Sequence, residues 1–193
     1  MFLTAQRAAA ADFGPEAVLL VEAGATALEG GKRLRGRFCV AGWRAVEEAG
    51  GSSPALPDDL ITVAASLEIF HAAALVHDDV IDNSDTRRGR PAAHRALEAA
   101  HRSRHWVGDA GAFGRSGAIL LGDLLVAWSD DLLEEGLAAA SPARASAACR
   151  EYAIMRREVT IGQFLDIAEE SAYVTEPDDE HARGHRVEGA RMA

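Results

Sequence analysis

The sequence predicts an all-α protein, an antiparallel bundle of long helices without a β-sheet, and three observations carry that prediction. Apolar residues make up 48% of the 193 residues and aromatics only 6%, an alanine- and leucine-heavy balance that favours helices. From Ile61 to about Asp82 the chain is apolar nearly all round, broken by Ser66, Glu68, His71 and His77 before an acidic end, as a buried central helix requires. Helix-start signals recur at Gly14-Pro15 and Ser141-Pro142, each placing proline in a first turn, where its missing N–H costs nothing. The length suits one domain over 1–193, ending in a polar tail over 174–193.

Taken in order, residues 1–29 read as an amphipathic helical region interrupted at Gly14-Pro15. Gly30-Gly31 frees the backbone, and Lys32 and Arg35 are then expected three residues apart on one face of the next helix. Phe38 to Glu48 is helical, and Gly50-Gly51-Ser52-Ser53-Pro54 with Pro57 is a loop. Asp58-Asp59 offers negative charge to the N-terminus of the central helix. A helix follows Pro91 to about His105, then a glycine-rich loop from Gly108 to Gly117. Ile119 to Leu125 resumes a helix in which Gly122 permits close approach of a neighbour and Asp123 serves as a supporting partner. The last helix runs from Pro142 to about Glu170 and carries Gly162, Gln163 and Asp166, the latter two on one face.

Composition narrows the function. A formal charge of −10 argues against nucleic acid and against bulk attraction to anionic lipid. Cys39 and Cys149 match no metal or redox spacing, so a reduced, cytoplasmic setting is expected. No secretory leader is evident, and no uninterrupted apolar run is expected to span a bilayer. An acidic protein that handles an anion must concentrate its positive charge locally, and the segments at 32–37 and 87–90 do so.

The chemistry concentrates in His77-Asp78-Asp79-Val80-Ile81-Asp82-Asn83-Ser84-Asp85-Thr86-Arg87-Arg88-Gly89-Arg90-Pro91. On a helix, Asp78 and Asp82 stand one turn apart and can grip one cation. Oxygen ligands alone suit Mg²⁺, which keeps several waters and shares its shell with phosphates. The guanidinium forks of Arg87 and Arg88 match phosphate oxygens. Acidic beside basic therefore reads as a Mg²⁺–diphosphate site.

Leu75 to Asp82, followed by Arg87-Arg88-Gly89-Arg90-Pro91 and His94, resembles the first aspartate-rich motif of the trans-polyprenyl diphosphate synthases, the family of farnesyl and geranylgeranyl diphosphate synthases. Gly30-Gly31-Lys32-x-x-Arg35, Gly122-Asp123 and Gly162-Gln163-x-x-Asp166 resemble further family motifs in the same order, over about residues 28–187. Gly36 stands where the family often has proline. The resemblance implies an isoprenoid-synthase helical bundle, a homodimer, and Mg²⁺-dependent condensation of isopentenyl diphosphate with an allylic diphosphate. Asp78 and Asp82 are then the catalytic metal ligands. Lys32, Arg35, His71 and Arg88 hold isopentenyl diphosphate, Arg87 holds the allylic diphosphate, and Gln163 lines the cavity. Bulky aromatics precede this motif in farnesyl synthases; Ala73 and Ala74 stand there here, with Phe70 a turn deeper, which implies a product of geranylgeranyl length or longer.

Asp178-Asp179 does not have the spacing of the family's second aspartate-rich motif, and no Lys-Thr or Lys-Ser pair precedes it. The chain is accordingly expected to be a C-terminally incomplete member, with little activity by itself. Two other enzyme classes fit less of the pattern: a phosphohydrolase built on His77-Asp78 leaves the arginines without a role, and terpene cyclases lack the Gly-Gly-Lys and Arg-Arg-Gly-x-Pro elements. The alternative from a different class is a non-catalytic homologue acting as an interaction or regulatory subunit.

Overall fold

A computed structural model describes residues 1–51 and 55–172. Ser52 to Pro54 and the expected polar tail, Asp178-Asp179 included, lie outside the described residues. The chain falls into two compact units, Met1–Ala139 and Ala140–Ala193.

The first unit opens with α1 (Phe2–Ala11) and α2 (Pro15–Ala27), separated where Gly14 takes a φ of 106° and Pro15 enters the first turn. α3 (Leu34–Ala49) leads to α4 (Asp58–Ile81), whose first turn holds Asp58 and Asp59 as expected of an N-terminus with unpaired N–H groups. After α4 comes the one departure from an all-helical expectation among the described residues. Thr86–Arg87 (β1) and Arg90–Pro91 (β2) pair antiparallel, with Arg88 and Gly89 at φ 53° and 75° in the two-residue turn between them. Positive φ at both central positions is the geometry that matches the twist of paired strands. α5 (Ala93–Ser103) and α6 (Ala110–Leu137) complete the unit.

α4 is central, packed against α6 most extensively and also against α3 and α5. Ala73, Val76, Leu97, Ala118, Leu121, Leu125 and Trp128 form the core between these helices, and Phe2 meets Trp128 edge-on at 5.7 Å between ring centres. Two glycines make the close approach of helices possible. A Cβ at Gly114 would lie 2.3 Å from the His94 carbonyl oxygen of α5, and one at Gly122 would lie 2.1 Å from Nε2 of His77 on α4.

Two boundaries differ from expectation. α3 starts at Leu34, before the helical stretch expected from Phe38 but after Lys32, and Gly36 donates its N–H at 2.8 Å to Glu68 Oε1 on α4, which satisfies a first-turn donor. The expected loop over 108–117 is mostly helix: Asp109 caps α6 by accepting from the N–H groups of Gly111 and Ala112 at 2.8 and 3.1 Å. Gly114 and Gly117 serve contact with α5 instead. By length and composition α4 and α6 could each cross a bilayer, although charged residues such as Glu68 and Asp123 interrupt both apolar runs. Here their apolar length is used on each other in the core.

The second unit is described through α7 (Pro142–Ala172), with Pro142 in its first turn and Ser141 Oγ accepting from Arg144 N at 3.5 Å. Within it, the Arg156 guanidinium lies 4.9 Å from the centre of the Tyr152 ring.

Candidate active site

The site of interest gathers at the C-terminal end of α4. Asp82 follows the last helical residue, but its backbone stays in the right-handed region and its N–H donates to the Asp78 carbonyl at 2.8 Å. Asp82 therefore still stands one turn beyond Asp78. Asp82 is exposed, whereas the Asp78 carboxylate retains 27% of its accessible surface. Asp79, absent from the expected set, is the buried one at 3% exposure.

The hairpin folds back onto this acidic end through Arg87. Its Nε and Nη2 donate to Asp79 Oδ1 at 2.9 and 2.6 Å, and Nη2 also reaches Asp78 Oδ2 at 2.9 Å. A buried carboxylate needs such a partner, since unpaired burial of a charge is costly. Asp79 thus fixes Arg87, and Arg87 orients Asp78. Asp79 continues the buried stripe Ile69, Ala72, Val76 at helical spacing, the signal that could have found it, while the 100° step turns Asp78 and Asp82 outward.

The second cationic element is the segment before α3. Gly30 and Gly31 take φ of 72° and 79°, and Arg33 is also left-handed at 53°. Lys32 therefore lies outside the helix, and the expected helical pairing of Lys32 with Arg35 does not form. Both are exposed all the same. Arg88 links the two elements: its Nη1 donates to the Glu29 carbonyl at 2.9 Å, and its guanidinium lies over Gly31, where a Cβ would sit 2.9 Å from Cζ.

His71, two turns before Asp78, is half-buried. Burial, followed by the positive charge of Arg35, pushes its pKa down to about 4, with Arg88 and Arg87 contributing and Glu68 opposing. It is thus a neutral imidazole facing a cationic surround. Glu68 accepts from Gly36 and lies 3.9 Å from Arg33, so it tethers the start of α3 to α4.

Support comes from the α4–α6 side. His77 Nε2 lies 3.1 Å from the Ile119 carbonyl oxygen and 3.5 Å from Asp123 Oδ1. Gly122 makes room for that ring, so the expected roles of Gly122 and Asp123 coincide in one contact. His94 is 2% exposed with neither ring nitrogen hydrogen-bonded among the described residues, and burial, then Arg95, holds its pKa low. Gln163 and Asp166 lie on α7 in the second unit.

A cavity of about 610 Å³ opens between α2, α4, the hairpin and α5. Gly30, Gly31, Asp79, Arg87, Arg88 and Arg90 line its charged part, and Leu19, Ala72, Val76 and Leu97 its apolar part. Of the two alanines expected to stand open before Asp78, Ala73 is fully buried in the core cluster with Leu121 and Leu125; only Ala74 keeps some exposure. Phe70 is buried as well.

Among the described residues no group of three or more metal-ligating side chains converges. Asp78 and Asp82 nevertheless offer the hard oxygen donors of Mg²⁺, an ion that commonly takes one or two carboxylates and completes its shell with water and phosphate oxygens. The donor chemistry fits.

The polyprenyl synthetase family model matches residues 18–186. A chloroplastic geranylgeranyl pyrophosphate synthase of Capsicum annuum is 31% identical over 144 residues, 72% of this chain and 33% of that one. An octaprenyl diphosphate synthase of Escherichia coli is 35% identical over 96 residues, 50% of this chain and 23% of that one. Among solved structures, a geranylgeranyl pyrophosphate synthase from Corynebacterium glutamicum, complexed with isoprenyl diphosphate and magnesium, superposes with a TM-score of 0.78 at 42% identity, over 90% of this chain and 48% of that one. The chain thus spans a third or less of the length of these curated relatives, and about half of the solved structure. With the family model covering most of its length, and the helical architecture and charged site as described, the chain belongs to the polyprenyl synthetase family.

Proposed function

We propose that this chain carries diphosphate-binding residues of a Mg²⁺-dependent prenyltransferase that condenses isopentenyl diphosphate with an allylic diphosphate, as part of a single polyprenyl synthase domain. The observation that carries the reading is the Asp79–Arg87–Asp78 linkage, which joins an acidic helix end to an arginine hairpin at one place. Carboxylates and guanidiniums so arranged suit a polyanion together with its cation.

Asp78 and Asp82 would hold Mg²⁺, which when bound supplies positive charge to a diphosphate leaving group. Arg87 binds the allylic diphosphate, already oriented by Asp79. Lys32, Arg35, His71 and Arg88 bind isopentenyl diphosphate. His71, neutral at ordinary pH, offers a hydrogen bond there without adding charge. Gln163, carried on α7, is the remaining substrate-binding residue of the proposal. As the allylic C–O bond breaks, its electron pair leaves with the diphosphate, and the alkene of isopentenyl diphosphate bonds to the allylic carbon. The proton lost afterwards goes to the released diphosphate, so these side chains need only bind and orient.

Product length follows Ala74, whose small side chain leaves open the depth just below Asp78; geranylgeranyl length or longer is the reading. Ala74→Phe in an active enzyme should shorten the product, and an unchanged product would place the floor elsewhere. The homodimer and the cytoplasmic setting belong to the same proposal; family membership supports the first, and free Cys39 and Cys149 fit the second.

A thermal-shift titration with inorganic pyrophosphate tests the core of the reading. Stabilisation should require Mg²⁺, and Asp78→Ala should abolish the synergy. Equal stabilisation in EDTA would reduce the acidic cluster to a solvated helix end.

A further inference from the structure

We infer that Glu29 is a positioning residue: by pairing with Arg90 it sets the tip of the arginine hairpin against the Gly30-Gly31 turn, so that Arg88 is held at a fixed angle for an anion. The inference rests on the diphosphate reading above and adds to it a residue outside the family motifs.

The hairpin is tethered on two sides. Arg87 and Arg90 face each other across the two-residue ladder. Arg87 is tied to the end of α4 through Asp79 and Asp78. Arg90 is tied to the segment after α2 through an ion pair between its Nη1 and Glu29 Oε2. Between these tethers sits Arg88, a side-chain-bearing residue at φ 53° in the turn. Outside glycine, a left-handed residue is held by its surroundings rather than by preference.

Arg88 has little freedom on its other side. Its Nη1 takes the Glu29 carbonyl at 2.9 Å, and its guanidinium occupies the space where a side chain at residue 31 would begin. Glycine at 31 therefore answers two demands, a φ of 79° and the close passage of the Arg88 fork. Glu29 thus meets the hairpin twice, through its carbonyl and through its carboxylate. Without the carboxylate contact the hairpin keeps the Arg87 tether and the bond from Arg88 to the Glu29 carbonyl, but Arg90 is released and the angle of the tip can vary. An arginine that must meet a diphosphate fork-on loses affinity when its angle varies.

A competing account of Glu29 makes the opposite prediction. If it merely masks the charge of Arg90, removing it would raise local positive potential and tighten anion binding. Both Glu29 and Arg90 side chains keep more than half their surface exposed, so stability should barely register the pair.

The test is calorimetric titration of the full chain with inorganic pyrophosphate in the presence of Mg²⁺. For Glu29→Gln, positioning predicts weakening of roughly three- to fivefold, the size of one modest oriented contact, with an unchanged ligand-free melting temperature. Arg90→Glu should weaken binding as well, and the charge-exchanged double variant Glu29→Arg, Arg90→Glu should recover most of the loss. Unchanged or tighter binding by Glu29→Gln overturns the inference, as does failure of the exchange to restore affinity. If the unaltered chain binds no pyrophosphate with Mg²⁺, the diphosphate reading itself fails and this inference with it.

Discussion

The α4–α6 seam and the charged rim at the end of α4 share a helix, yet they depend on different physics. Along the seam, Ala73, Ala118, Leu121 and Leu125 are wholly buried, and glycines let backbone and rings approach to distances that no Cβ would allow. Stability there is a matter of volume. At the rim, Lys32 and Arg35 are exposed, and the ion pair of Arg90 with Glu29, itself in water, contributes little to folding. The lesson is that loss of stability and loss of diphosphate binding should separate by region. Asp79 with Arg87 is where the two regimes meet, because a rim arginine satisfies a core carboxylate.

The largest effect is expected in the core beside that seam, where α6 meets α5. Gly114→Ala places a methyl against the His94 carbonyl and the Glu98 backbone, neither of which can rotate away. A loss of about 3 kcal/mol in urea unfolding is expected, with pyrophosphate affinity of the folded molecules unchanged. Near-normal stability would show that α5 shifts freely on α6.

Arg87→Met should break the separation, since it leaves Asp79 buried without its cation. We expect about 2 kcal/mol of destabilisation together with loss of pyrophosphate binding. Loss of binding alone would mean that Asp79 finds water or another donor.

Gly122→Ala pushes on a side chain rather than on backbone, so about 1–2 kcal/mol is expected. The combination with His77→Ala should be less destabilising than the two single changes summed, because the clashing ring is gone. Strict additivity in this cycle would contradict the contact.

The smallest effect is a pH dependence at the rim. His71 in the folded chain protonates only near pH 4, while an unfolded histidine does so near 6.5. Between these values the unfolded state binds the extra proton, so His71 makes stability fall as pH drops from about 6.5 to about 4. In His71→Gln, stability should decline less steeply through that window, and above pH 7 the two proteins should match. Identical slopes would show that the imidazole is better solvated than its burial implies.

Much of this molecule was legible in the sequence because it depends on local periodicity and local chemistry. The apolar run into Asp78 predicted α4, proline and glycine marked the starts of α2 and α7, and the spacing of Asp78 and Asp82 follows from 3.6 residues per turn. The two-residue turn at Arg88-Gly89 had a signal too, a glycine between short flanks ending in Pro91, but arginine is rarely left-handed. Other features belong to pairs of residues distant along the chain. Gly114 and Gly117 read as loop because a glycine's signal is the same whether it bends a chain or admits a neighbouring helix; only the approach of α5 to α6 decides which. Asp79 and Asp78 are indistinguishable by composition; the helical step turns Asp79 to the packed face of α4, and the fold of the hairpin supplies its arginine partner. Ala73 likewise became core rather than cavity once α6 packed against its face of α4. Sequence by itself determined which elements form and which chemistry they carry, since those depend on neighbours within a turn or two. Tertiary structure decided which face each residue presents and which charges meet, since burial and pairing exist only between elements.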